Sequence, residues 1–500
     1  MKNATPDNSE QGRSEREMKE NVTHIPALRF GEAYKSLDTN DLGTVLRSGD
    51  RLEVSVVNAG IIRRDKLAIE RARAALRKIP AETLLDYAEK ASEIYLEGEL
   101  PFGMDGETQA VADYVTALSG LTGLPHSLCR SNMFKVAAAL KNIRAVLAGL
   151  TRGLPAELFD KGCARLGDID MNFYPTADSL GVTLPSNSPG VNSLWLPALV
   201  MKTPVFLKPG REDPLTPYRI IQAMIQAGFP KEAFGFYPTT HDGGDAILLS
   251  CGRGIVFGSD ATVKKYAKYS NIQVHGSGRS KVLIGQDMAE EWEKHLDVMV
   301  ESVSANGGRS CINASSVLVP SHFDEISNAL AQKLAAIEPC SREDESALLC
   351  GFANAKFAKM MDEAIDDALK TPGAVDLTAK YRKGPRLVEK FGQTFLCPTL
   401  IACSDPNHPL ANTEYMFPFV SVVEMPQSEM LNVIGSTLVV SALTEDEAWM
   451  EELMASSDID RLNLGSVPTN WVQWEQPHEG NLFEFLYRRR AIQAKTLKIA

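Results

Sequence analysis

The feature that most constrains this chain is an alternation of short β-rich runs with helical ones that starts at Pro204. PVFLK (204–208) is followed by a helical stretch entered through Asp213-Pro214 and closed by Gly228-Phe229-Pro230. FGFYP (234–238), a short helix, GIVFGS (254–259), a helix from Asp260 and IQVHG (272–276) continue the series. Strands joined by helical crossovers lie parallel, so the pattern predicts a parallel sheet covered on both faces. Ligands of such sheets bind beyond the C-terminal strand ends, which makes this a nucleotide-binding architecture by pattern alone.

Around this block, 500 residues that are 44% apolar and 23% charged can bury a large core and divide into two or three domains. Met1 to Thr23 is polar, lacks apolar periodicity and is expected to be a flexible tail. Apolar residues recur at helical spacing from about Asp65 to Tyr95 and from Ser131 to Leu150, with Ser131 as the expected N-cap of the second run. A long helical run from Met288 to about Ala305 leads through Asn306-Gly307-Gly308 to the strand-like ASSVLVP (314–320). The C-terminal FEFLYRRRAIQ (483–493) alternates like an edge strand whose arginines keep an unpaired edge soluble.

A net charge of −12 argues against broad binding to nucleic acid or anionic membranes, which requires a basic surface. The eight cysteines form no C-x-x-C pair and no Cys/His cluster at zinc spacing, so no metal site is expected. No apolar run reaches the ~18 residues of a membrane span, and the first twenty residues lack a signal-peptide core. A cytoplasmic protein with reduced thiols is the expectation.

Cys311 stands out because NGGRSCINAS (306–315) places it between a helix ending at two glycines and a β-rich run. Flexible backbone there can bring the thiol to a carbonyl while backbone amides meet the oxyanion. A small buried apolar residue is the plain alternative for a free cysteine. Likewise Asn187, between Pro185 and Pro189, reads on its own as a turn residue, and Ser259-Asp260 as a helix cap. HGSGRS (275–280) is a poor dinucleotide fingerprint, lacking a third glycine at the proper spacing.

Taken in order, these motifs resemble the aldehyde dehydrogenase superfamily from about residue 180 to 480. Pro185-Ser186-Asn187-Ser188-Pro189 is similar to the family's Pro-x-Asn-x-Pro turn, which implies that Asn187 donates to the oxyanion. Lys208-Pro209 resembles the pair whose lysine binds the adenosine ribose, and Gly258-Ser259 the turn at the cofactor pyrophosphate and nicotinamide end. Arg211 stands where many NAD-preferring members carry a Glu, so a 2′-phosphate partner and a lean to NADP over NAD are implied, unless the neighbouring Glu212 takes the acidic role. Glu414, in Glu-Tyr-Met-Phe-Pro-Phe, resembles the family's Glu-x-Phe-Gly-Pro acid on the nicotinamide ribose, with Met416 and Phe417 as departures.

A larger departure is His275-Gly276-Ser277-Gly278-Arg279 in place of Glu-Leu-Gly-Gly-Lys, whose glutamate activates water in hydrolytic members. The resemblance then implies a Cys311 thioester passed to coenzyme A, or an acyl thioester reduced in the opposite direction. Hydrolysis with His275 as the base is the alternative, a structural histidine a third, and a non-catalytic nucleotide- or partner-binding member a fourth. The resemblance also implies an α/β aldehyde dehydrogenase-like fold. It would comprise a Rossmann-like cofactor domain (24–156 and 177–275), an α/β catalytic domain (276–470) and a small β oligomerisation extension (157–176 and 471–500). That extension would pair subunits into a homodimer or homotetramer acting on a small-molecule aldehyde or acyl thioester.

Overall fold

The computed structural model describes residues 21–104 and 106–493. Val205–Lys208, Phe234–Phe236, Arg253–Phe257 and Ile272–His275 are strands of one sheet, and Leu180–Thr183 joins them. These five are mutually parallel, and the antiparallel strands Ala27–Arg29 and Glu32–Tyr34 extend the sheet beyond Phe234–Phe236. Leu180–Thr183 comes first of the five in sequence but sits in the middle, between Val205–Lys208 and Arg253–Phe257. The strand order reverses there, which makes the C-terminal ends at Thr183, Lys208 and Phe257 the switch point at which open sheets of this kind hold a ligand.

The crossovers are the helices Leu215–Ala227, His241–Ser250 and Asp260–Tyr266. Asp213 starts the first by accepting from Thr216 N (2.9 Å), and Gly228 ends it at a φ of 129° that a side chain would resist. Strands enclosed on both faces must be apolar throughout, and Val205, Phe206 and Leu207 are all buried.

Only four residues separate His275 from the strand Ser280–Ile284, which lies at the heart of a second seven-stranded sheet. There Ser280–Ile284 pairs in parallel with Ala314–Val319 and Thr437–Leu443, so the chain passes from one sheet into the other right beside Cys311. Phe419–Glu424, Thr399–Cys403 and Ile459–Leu464 extend this sheet in parallel, and Ala374–Asp376 closes it antiparallel. A third sheet joins Cys163–Leu166, Ile169–Pro175 and Tyr487–Arg490.

Several expectations about element limits are corrected. Residues 1–20 of the expected tail lie outside the described residues, but Val22–Ile25 pairs in parallel with Arg51–Ser55, so Val22 and Thr23 belong to the fold. The helical run around 65–95 is three helices, Ala59–Lys66, Glu70–Arg77 and Ala81–Glu97, the last beginning at Pro80, which has no amide to donate. Ser131 does not cap its helix: the helix is His126–Lys141, started by Pro125, and a second, Ile143–Leu150, follows Asn142. Ala289–His295 is 3₁₀ and only Leu296–Ser304 is α-helical. Within FEFLYRRR, Leu482–Leu486 is a helix because the Asn481 side chain caps Phe483 N and Glu484 N, and the strand is Tyr487–Arg490 alone.

Leu84, Ala88, Val136, Leu140, Ile220 and Met224 meet in the main core, where Ala81–Glu97, His126–Lys141 and Leu215–Ala227 pack together. Each of the larger of these side chains contributes roughly 1.5–3 kcal/mol on burial, and their packing fixes His126–Lys141, which supplies one wall of the site. No helix among the described residues is long and apolar enough to cross a membrane.

Candidate active site

Three successive left-handed residues, Asn306 (φ 53°), Gly307 (φ 64°) and Gly308 (φ 68°), turn the chain toward Cys311. A β-carbon at Gly308 would lie 2.3 Å from Pro418 N, so the glycine lets the segment after Glu414 press directly on this turn. The turn is closed from within by Asn313, which accepts from Ser310 N (2.9 Å) and donates to Ser302 O and Ala305 O. Asn306 donates to Ser310 Oγ (3.0 Å) and accepts from Asn132 Nδ2 (2.7 Å), and Asn132 Oδ1 in turn accepts from Gly190 N (3.1 Å). Through this pair of asparagines the turn around Asn187 is riveted to the turn around Cys311. Asn187 Nδ2 itself donates to Arg309 O (2.6 Å) and keeps a second hydrogen for another acceptor.

His275 stands at the end of its strand with its ring stacked on Phe257, centroids 4.7 Å apart. Its Nδ1 is hydrogen-bonded to the Glu479 carboxylate, while its buried Nε2 has no partner among the described residues. A carboxylate only accepts, so in the neutral ring Nδ1 holds the proton and Nε2 presents its lone pair. Asn187, His275, Cys311 and Glu479 share one cavity of about 360 Å³, to which Lys135 and Arg461 also contribute. Ser280 Oγ donates to Cys311 O (2.9 Å), and a β-carbon at Gly278 would come within 1.9 Å of that same carbonyl. HGSGR thus owes its second glycine to a close backbone approach.

The electrostatics of the cavity are set mainly by burial. Desolvation, aided by the charges of Glu414 and Glu479, pushes the Cys311 thiol up to about 12, so it is protonated at neutral pH. Burial, then Arg461 and His275, push His478 down to about 3, leaving it neutral. Glu414 accepts from Arg279 N (2.7 Å), yet desolvation outweighs that bond and raises its carboxyl to about 7.

Lys208, Arg211, Gly258, Ser259 and Glu414 do not line this cavity. Lys208 stands at the end of its strand, its Nζ reaching only Pro209 O (3.3 Å) among the described residues, and burial lowers its pKa. Thr183 Oγ1, at the switch point, is buried and has no partner among the described residues. Gly258 N donates to His275 O (3.0 Å), and Ser259 precedes Asp260–Tyr266 without using its side chain to cap that helix. Arg211 is exposed beyond the strand end. The orphaned hydroxyl of Thr183 and the weakly held ammonium of Lys208, at one switch point, fit a dinucleotide with its ribose hydroxyls and phosphates. Glu479, Asn132, Lys135 and Arg461 carry no sequence signal, since Glu479 lies 204 residues from the histidine it holds.

A five-stranded parallel core of reversed order, set beside a cysteine turn with a facing asparagine, defines a nucleotide-dependent oxidoreductase with a candidate cysteine nucleophile. The chain belongs to the aldehyde dehydrogenase family, an NAD(P)-dependent one, whose sequence model matches residues 177–480. Its fold is similar to that of the aldehyde dehydrogenase KauB from Pseudomonas aeruginosa, with a TM-score of 0.75 and 19% identity over 94% of this chain and 96% of that one. Gamma-glutamyl-gamma-aminobutyraldehyde dehydrogenase from Burkholderia cenocepacia gives a TM-score of 0.76 at 16% identity, with the same shares covered. An aldehyde dehydrogenase from Bacillus cereus, solved with NAD+, gives 0.73 at 15% over 93% and 96%. A putative aldehyde-dehydrogenase-like protein of Sinorhizobium fredii is 22% identical over 197 residues, which span 38% of this chain and 37% of that relative.

Proposed function

We propose that this protein oxidises an aldehyde to a carboxylate through a thioester on Cys311, with His275, oriented by Glu479, as the base. One observation carries this reading: a carboxylate-bound histidine, whose buried Nε2 has no partner among the described residues, shares a cavity with the cysteine. A thiol held near 12 needs a proton acceptor before it can attack, and the His275 Nε2 lone pair on the cavity wall can serve as one. As the sulfur adds to the carbonyl, the free hydrogen of Asn187 Nδ2 and the Cys311 N–H take the oxyanion. Lys208, Arg211, Gly258, Ser259 and Glu414 would hold NADP or NAD, which supplies the two-electron acceptor when bound. His275 gives the thiol's proton up to bulk water and then takes a proton from water attacking the thioester; as the acid leaves, that second proton passes from His275 Nε2 to the Cys311 sulfur.

Transfer of the acyl group to coenzyme A is the second reading, favoured by the replacement of the family's glutamate by His275. The three-stranded sheet of Cys163–Leu166, Ile169–Pro175 and Tyr487–Arg490 is the surface we assign to subunit pairing in a homodimer or homotetramer.

The test supplies aldehydes with NAD or NADP in ¹⁸O-water, with and without coenzyme A, beside a Cys311→Ala control. Hydrolysis puts one ¹⁸O into the acid, proceeds without coenzyme A and vanishes in the control. Turnover that requires coenzyme A and releases acyl-CoA establishes the second reading. Cofactor binding with no reduction, together with failure of an acyl-CoA panel with NADPH, overturns both.

A further inference from the structure

One wall of the cavity is a single face of the helices His126–Lys141 and Ile143–Leu150, where Lys135, Ala139, Ile143, Val146 and Leu150 recur every three or four residues. Four of these five are apolar, as a surface for an alkyl chain requires. Lys135 is the exception. Its stem lies against Gly190, where a β-carbon would sit 3.5 Å from Lys135 Cδ, and Gly190 is three residues beyond Asn187. Lys135 has no hydrogen-bond or ion-pair partner among the described residues, and burial lowers its pKa with no neighbouring charge to oppose it.

A second cation faces the same space. Arg461 gives Nη1 to Pro477 O (2.8 Å), and its buried Nε has no partner among the described residues. Among the described residues the sole acid on the wall, Glu479, is committed to His275. Two cations that have no counter-ion among those residues therefore border one cavity, in a chain whose net charge is −12. Lys135 is half-buried, and an ammonium partly withdrawn from water without a protein acceptor is disfavoured until an anion supplies the missing one.

We propose that the cavity selects an aldehyde bearing a second, anionic group, a carboxylate or a phosphate, held by Lys135 within the field of Arg461. Lys135 offers three donors on a flexible stem, suited to an anion at the far end of a short apolar chain. A space of about 360 Å³ admits an oxo acid of a few carbons. The aldehyde half of this inference rests on the function proposed above; the anion half does not.

The experiment is therefore a binding measurement that needs no turnover. Cys311→Ala protein is titrated calorimetrically with glutarate, with glycerol phosphate and with the uncharged 1,5-pentanediol. An anion is expected to bind at least tenfold tighter than the diol, and the tighter of the two anions identifies the group. In Cys311→Ala/Lys135→Met that preference should fall about tenfold to a hundredfold, and Lys135→Arg should restore most of it. In the active enzyme, kcat/KM for 5-oxopentanoate should exceed that for pentanal, and the ratio should fall likewise in Lys135→Met. Equal binding of anions and diol by the parent protein, or a preference that survives Lys135→Met, overturns the proposal whatever the enzyme's activity proves to be.

Discussion

Glu479→Gln is the substitution that weighs most on the proposed mechanism. It preserves size and removes the charge that orients His275, since Glu479 is the hydrogen-bond partner of Nδ1 and Nε2 has none among the described residues. Stacking on Phe257 fixes the plane of the ring but not the position of its proton. A glutamine can donate to Nδ1 through its amide, and that leaves Nε2 protonated and unable to accept. A positioned base contributes about 10²–10⁴ in rate, and loss of an orienting carboxylate typically costs about 10–100-fold of that. We expect kcat to fall about a hundredfold, ~2.7 kcal/mol on the barrier, with KM for the aldehyde changed less than about threefold. Steady-state cofactor reduction measures both, and unchanged cofactor affinity shows that the site remains folded. His275→Gln should cost as much, and the double variant little more, because the pair acts as a unit. A kcat for Glu479→Gln within threefold of the parent, or losses that multiply in the double variant, would refute the reasoning.

Three further predictions come from packing and burial. With the Cys311 thiol raised to about 12, its thiolate fraction grows tenfold per pH unit below that value. Alkylation of Cys311 by iodoacetamide, followed by peptide mass spectrometry, should therefore rise steadily from pH 7 to 10, and a plateau near pH 8 would contradict it. Gly278→Ala places a β-carbon 1.9 Å from the Cys311 carbonyl, so that loop must shift. A displacement of this kind should lower kcat at least about a hundredfold, and near-normal activity would count against the packing. Lys281 is buried, bonded to Arg279 O (2.7 Å) and Thr437 Oγ1 (3.0 Å), and desolvation lowers it to about 7 from an ordinary 10.5. Between those values the unfolded chain holds a proton that the folded chain lacks, so the parent's stability rises with pH across that window. Lys281→Met should gain about 1–3 kcal/mol near pH 6.5, and the gain should shrink toward pH 10. Urea unfolding of both proteins reads that difference, and one that does not change with pH would rule the account out.

Local periodicity and local stops are legible in the amino-acid order. The strand–helix alternation from Pro204, the helix between Pro214 and Gly228, and the glycine turn before Cys311 are all written within a few residues of where they act. The ordered motifs likewise pointed to the aldehyde dehydrogenase fold. Where a short run fits two periods, the neighbours decided. Phe483-Glu484-Phe485-Leu486 alternates like a strand, but the cap from Asn481 makes it a helix. Leu180–Thr183 is four residues long and interrupted by Gly181, and only its two parallel neighbours make it the centre of the sheet. The site shows the same division more sharply. His275 was open to three readings because its tautomer depends on an acid 204 residues away, and Asn132 meets Asn306 across 174. Lys135 looks like any helical lysine until the chain's path leaves it facing a cavity whose lining acid, Glu479, is held by His275. Pairings of this range leave no trace in spacing, because they are fixed by which surfaces the core brings together and by which polar groups then remain unsatisfied.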